Sequence, residues 1–176
     1  ALQEVLATDK QVRYVFKEAL AGNRVLSLMG IINGTTNYIL SRMSQEGSDF
    51  EEVLRMAQSL GYAEQDPASD VDGHDAAYKL ALLASIAFGH DVQVEDVFRE
   101  GISRIRLEDL CYAAELGYVV KLLAIARRDD HGVELAVHPT MIPHSHPLAS
   151  VGGAFNAVFI QGDAVGDLML YGMGAG

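Results

Sequence analysis

A change of hydrophobic period near residue 119 constrains this chain more than any other feature. Beyond it lie VVKLLAIARRD (119–129), GVELAVHPTMI (132–142), NAVFIQGDAV (156–165) and GDLMLYG (166–172). These apolar, β-branched runs, separated by Gly, Pro and Asp, predict a strand meander. One earlier run, VLSLMGIIN (25–33), reads as a buried strand closed by Asn33-Gly34. Between the two regions the spacing turns helical. Thr35-Thr36-Asn37 can cap YILSRMSQEG, and Ser48-Asp49 precede FEEVLRMAQSLG, which has Glu51 and Glu52 in its first turn and Gly61 past its end. HDAAYKLALLASIAFG predicts a mostly buried helix and LEDLCYAAELG a short one, with an irregular stretch, DVQVEDVFREGIS, between them. Residues 2–21 also carry loosely helical spacing, ended by Gly22-Asn23. One strand, several helices and then a meander predict an α+β fold, a two-layer sandwich of one mixed or antiparallel sheet with helices packed on a face. No repeat or linker divides residues 1–176, so a single domain is expected.

Charge and composition exclude several function classes. A net charge of −11 repels phosphate backbones, so nucleic acid is not an expected partner. No apolar run reaches the roughly 18 residues of a membrane span, and residues 1–20 are too charged for a signal peptide. No membrane association is expected, and the cytoplasm is the expected location. The single cysteine, Cys111, permits no intrachain disulfide. Its place in LEDLCYAAELG predicts a small buried apolar residue rather than a nucleophile.

The chemically richest stretch is GYAEQDPASDVDGHDAAYK (61–79), where Glu64, Asp66, Asp70, Asp72 and Asp75 precede one lysine, Lys79. Asp75 and Lys79 stand four apart on a predicted helix, so they share a face and can pair. By itself this describes a solvated acidic loop with a weak surface ion pair. The apolar LALLASIAF after Lys79 changes the weighting, because it puts the charge at the start of a largely buried helix. A lysine and carboxylates converging at a cleft edge can polarise a carbonyl and relay a proton.

Metal readings fail. Asp70-x-Asp72-Gly73 resembles part of a calcium loop, but that register puts Ala68 at the first ligand position and Lys79 at the bidentate twelfth. His138, His144 and His146 do not share a helix face, and Pro139, Pro143 and Pro147 interrupt them, so no zinc site is expected. Lys121, inside VVKLLAIA, reads as a snorkelling or edge lysine.

Taken in order, GIINGTTNYIL, LGYAEQDPASDVDGHDAAYKLALLASIAFG, EGI, LGYVVKLLAIA, HPLASVGGAFNAV and GDAVGDLMLYGMGAG closely resemble the middle of homoserine dehydrogenases. The resemblance covers residues 22–176. It implies the catalytic and oligomerisation domain of an oxidoreductase that interconverts L-aspartate 4-semialdehyde and L-homoserine with NADP or NAD, in threonine, methionine and isoleucine biosynthesis. The small-molecule partner it implies is an amino acid, and the assembly a homodimer or homotetramer. On the matching positions Lys79 resembles the catalytic lysine and Asp75 a residue of the same active site. Glu64 and Asp70 resemble acids that hold the substrate's amino end, while Tyr62, Gly34 and Thr35 resemble the pocket lining. Gly172 and Gly174, in GMGAG, resemble the place where the family's chain meets its nucleotide-binding domain. That domain's Gly-rich phosphate loop has no counterpart here, so residues 1–176 are expected neither to bind NAD(P) nor to turn over homoserine alone. The alternative is a non-catalytic amino-acid-binding or regulatory module of the same fold, which would have no use for Lys79.

Overall fold

The helix expected over residues 2–21 falls mostly outside the residues that the computed structural model describes, which are 14–129 and 132–174. Its described end is one π-helical turn, Val15–Ala19, which buries Phe16. Strand β1 (Val25–Ile31) follows, and then helices α1 (Gly34–Glu46) and α2 (Phe50–Ser59). The acidic loop is not wholly irregular, since it contains one helical turn, α3 (Ala68–Val71), that buries Val71. Helix α4 (His74–Phe88) turns Ala76, Ala77, Leu80, Ala81, Leu83, Ala84 and Phe88 inward, as its composition predicts. Burying each large apolar side chain is worth roughly 1.5–3 kcal/mol, so α4 is a principal anchor of the helical layer.

The stretch after α4 yields a short strand that alternation cannot reveal, β2 (Phe98–Arg99), which pairs in parallel with β4. Next to it Gly101 lets the chain press against the α3–α4 turn. A Cβ there would collide with the Val71 carbonyl oxygen, and Ile102 N–H donates to that oxygen at 2.7 Å. Helix α5 (Leu107–Glu115) leads to β3 (Tyr118–Asp129), β4 (Gly132–Pro143), β5 (Phe155–Gly162) and β6 (Gly166–Met173).

These strands form one mixed sheet in the order β2-β4-β3-β1-β5-β6, with β1 antiparallel to both β3 and β5. Period-two alternation splits its side chains between two cores. Leu28, Leu122, Ala124, Ala126, Val158 and Ile160 meet the helices in the main core. Ile31, Leu123, Ile142 and Ala157 pack with Leu148 and Val151 in a smaller one. The predicted α+β sandwich is therefore the observed architecture.

Two single-residue expectations are overturned. Cys111 is exposed, because α5 turns Leu110 and Ala113 inward and the next residue along points about 100° away from Leu110. Lys121 neither lies on an edge nor snorkels. It sits on β3, between β4 and β1, and is only 5% exposed.

Candidate active site

The site assembles where β1 hands over to α1. Asn33, rather than Thr35-Thr36-Asn37, caps that helix, with its side-chain oxygen accepting from the Thr36 N–H at 2.9 Å. This leaves the Asn33 amide nitrogen free to face the acidic segment. It donates to Asp70 Oδ1 at 2.7 Å and to Asp75 Oδ2 at 3.0 Å. Asn33 is 5% exposed, so one buried amide orders the helix start and two carboxylates together.

Asp75 then meets Lys79, with Nζ 2.7 Å from Oδ2 and both side chains about one-fifth exposed. Lys79 Nζ also donates to the Ile32 carbonyl at 3.3 Å. An ammonium has three N–H groups, so among the described residues two are engaged and one is left for a ligand oxygen. Such a partly buried, hydrogen-bonded pair has a fixed geometry that a solvated surface pair lacks. The i,i+4 spacing thus produces the expected contact, and Asn33 and the end of β1 give it an orientation.

Burial pushes the Asp70 carboxyl above its ordinary range, the donor from Asn33 opposes that rise, and the nearby charge of Asp75 adds to it. Asp70 and Asp75 share a partly enclosed corner with one lysine, and an incoming cation would relieve their mutual repulsion.

Other predicted residues lie on the flanking segments. Thr35 Oγ donates to the Tyr62 carbonyl at 2.6 Å, tying α1 to the loop after α2. The Tyr62 ring lies 4.8 Å from that of Tyr38, centroid to centroid. Gly34 is demanded by packing, since a Cβ there would fall 2.8 Å from the Ala154 carbonyl oxygen. Gly172 lies on β6 opposite Asn156, with open space where a Cβ would stand, whereas a Cβ at Gly174 would meet the Asn156 amide nitrogen at 2.8 Å. Glu64 stands apart. It is exposed, and among the described residues its hydrogen bond is through the backbone carbonyl, from Gln58, rather than through its carboxylate.

Sequence reasoning missed Asn33. The available signal was an Asn-Gly after a β-branched run, which reads equally well as a strand-closing turn. An open cavity of about 490 Å³ lies on the other side of the Asp72–Gly73 turn, lined by Phe98, Arg99 and Arg104 among others, and holds none of the candidate residues.

Asn33, Asp70, Asp75 and Lys79 thus meet around one lysine–carboxylate pair, with Thr35 and Tyr62 tied to each other beside them and Glu64 apart. The homoserine dehydrogenase family profile matches residues 12–176 of this sequence. The chain belongs to the homoserine dehydrogenase family. The homoserine dehydrogenase of Synechocystis is 57% identical over 164 residues, covering 91% of this chain and 38% of the relative. That of Bacillus subtilis is 51% identical, covering 91% and 37%. Among solved structures, the homoserine dehydrogenase from Thiobacillus denitrificans superposes with a TM-score of 0.92 at 53% identity, covering 94% of this chain and 38% of that one. A hyperthermophilic archaeal homoserine dehydrogenase mutant solved in complex with NADPH superposes at 0.76 with 31% identity, covering 93% and 46%. The chain therefore spans between 37% and 46% of the length of these family members.

Proposed function

We propose that these residues form the substrate side of an NAD(P)-dependent homoserine dehydrogenase, with the nucleotide bound chiefly by residues outside the 176. The observation that carries this reading is the Lys79–Asp75 pair, held by Asn33 beside Asp70 with one ammonium N–H unengaged. In the reducing direction Lys79 donates that N–H to the carbonyl oxygen of L-aspartate 4-semialdehyde and releases its proton as the oxygen gains negative charge. Asp75 keeps the ammonium aimed. Asp70, joined by Glu64 once substrate arrives, holds the substrate's amino group by charge-assisted hydrogen bonds, which also brings a second cation to a corner where two carboxylates share one lysine. Thr35, Gly34 and Tyr62 form the wall beside α1.

The nicotinamide, when bound, supplies or accepts the hydride. The open backbone at Gly172 fits the close approach of a flat ring, and Gly172 and Gly174 are the residues of this chain assigned to it. We assign the whole protein to the cytoplasm, to the route towards threonine, methionine and isoleucine, and to a homodimer or homotetramer. The oligomer would be built on the sheet face that bears Met29, Ile125, Phe159 and Met169, which are partly buried at the margin of the smaller core.

The test is oxidation of L-homoserine by the complete protein with NAD(P)+, followed by reduced nicotinamide. The reading expects turnover by the complete protein and none by the 176 residues alone. A complete protein that binds L-homoserine without turning it over would contradict it.

A further inference from the structure

The second buried lysine stands in a different setting. Lys121 Nζ donates to the Val151 carbonyl at 2.6 Å, Asn37 Oδ1 at 3.0 Å and Ser41 Oγ at 3.3 Å, all neutral oxygens. Among the described residues no carboxylate pairs with it. Burial pushes its ammonium down to about 8. A cavity of about 300 Å³ opens beside it, between α1, α5, the start of β3 and the 144–152 segment. Its polar lining is Ser41, Ser44, Gln45, Tyr118, His144 and Ser150, and among the described residues neither Asp nor Glu lines it. In a chain of net charge −11 with 24 acidic residues, a cavity with a cation at its wall and no acid in its lining is a marked local reversal.

We propose that this cavity is a binding site for a small anion, a simple carboxylate or an inorganic oxyanion, which pairs with Lys121. The volume is at the low end of ligand pockets and suits a molecule of a few heavy atoms. Ser41 is the longest of the three lysine contacts and the one that can exchange. A hydroxyl that now accepts from Lys121 can turn and donate to the anion, while the lysine N–H moves to it. Ser44 and Gln45 add neutral donors that suit an anion of either kind, whereas the Ser150 hydroxyl already donates to the Pro147 carbonyl at 3.0 Å. The cavity has no acid to receive an ammonium, so it disfavours a zwitterionic amino acid and is chemically distinct from the Asp70–Asp75–Lys79 site. It is also independent of the proposed dehydrogenase reading.

The titratable groups facing the cavity are Lys121, Tyr118 and His144. Acetate, succinate and sulfate are the probes, titrated into the complete protein at constant ionic strength while the ε-methylene resonances of the lysines are followed across pH. A bound anion favours the charged ammonium, so saturating anion raises the Lys121 titration midpoint by about one unit or more. Lys121→Met should weaken binding measured by calorimetry at least about tenfold. A response to acetate and succinate alone assigns a carboxylate, and a response to sulfate as well assigns a general oxyanion. An unmoved Lys121 midpoint at saturating millimolar concentrations of all three overturns the site, as does undiminished binding by a folded Lys121→Met. Because the resonance titration uses the unaltered chain, the proposal stays testable if the variant does not fold.

Discussion

Two lysines, each recessed into the same α+β sandwich, have opposite surroundings. Lys79 lies on a helix at the edge of an acidic corner, one-fifth exposed, paired with Asp75 and aimed by Asn33. Lys121 lies on an interior strand, almost wholly buried, and among the described residues it donates to neutral oxygens alone. The first keeps a nearby counter-charge and one free N–H, which suits a group that must meet substrate and pass a proton. The second has no counter-charge among the described residues, and its three N–H groups tie α1, β3 and the 147–151 turn together. Position in the chain does not separate these roles. What separates them is whether a carboxylate accompanies the charge into the protein.

The largest expected effect comes from removing the first lysine. In the complete protein Lys79→Met should lower kcat for L-homoserine by about a hundred- to ten-thousandfold, with a smaller change in KM. Near-normal steady-state turnover would erase the functional contrast between the two lysines.

Next is the pH dependence of stability. Lys121 is held near 8 when folded, against an ordinary lysine value of 10.5. Between those values the unfolded chain binds the proton and the folded chain does not, so this group makes stability rise with pH, by up to about 3 kcal/mol across the window. Below the window both states are charged and the burial cost remains. Denaturant midpoints for the parent and Lys121→Met at several pH values should show the variant lacking that rise. Parallel curves would mean that Lys121 is better solvated than its surroundings imply.

Asn33→Ala removes the α1 cap and the donor shared by Asp70 and Asp75. A loss of about 2 kcal/mol is expected in equilibrium unfolding, from roughly 1 for the cap and 1 or more for the unsatisfied acceptors. With the opposing hydrogen bond gone, the Asp70 carboxyl should titrate higher still, which carbon-detected NMR would report. The smallest effect is that of Gly34→Ala. The added methyl meets backbone at Ala154 and should cost about 1 kcal/mol, with weaker substrate binding as α1 shifts.

Much of this was legible in the chain. The strands and long helices follow from hydrophobic period, and Asp75 with Lys79 from helical spacing. What escaped depended on partners far away in sequence. Asn33 meets carboxylates 37 and 42 residues away, and nothing local distinguishes that amide from a turn residue. Two-residue β2 exists because β4 lies beside it, and α3 hides in a loop whose acids obscure one buried valine. Lys121 read as an edge residue because VVKLLAIA is strand-like at every position, whereas its burial comes from α1 and the 147–151 turn. Of the cofactor side only Gly172 and Gly174 could be read, because residues 1–176 carry no Gly-rich phosphate loop between a strand and a helix.

The central claim is that these residues hold the substrate side of the site around the Lys79–Asp75 pair. Calorimetric titration of L-homoserine into the 176-residue chain, without nucleotide, tests it most directly. The account predicts saturable binding, weakened about tenfold or more by Asp70→Asn and by Lys79→Met and left intact by Lys121→Met. Binding that is lost with Lys121 and untouched by Lys79 and Asp70 would contradict it.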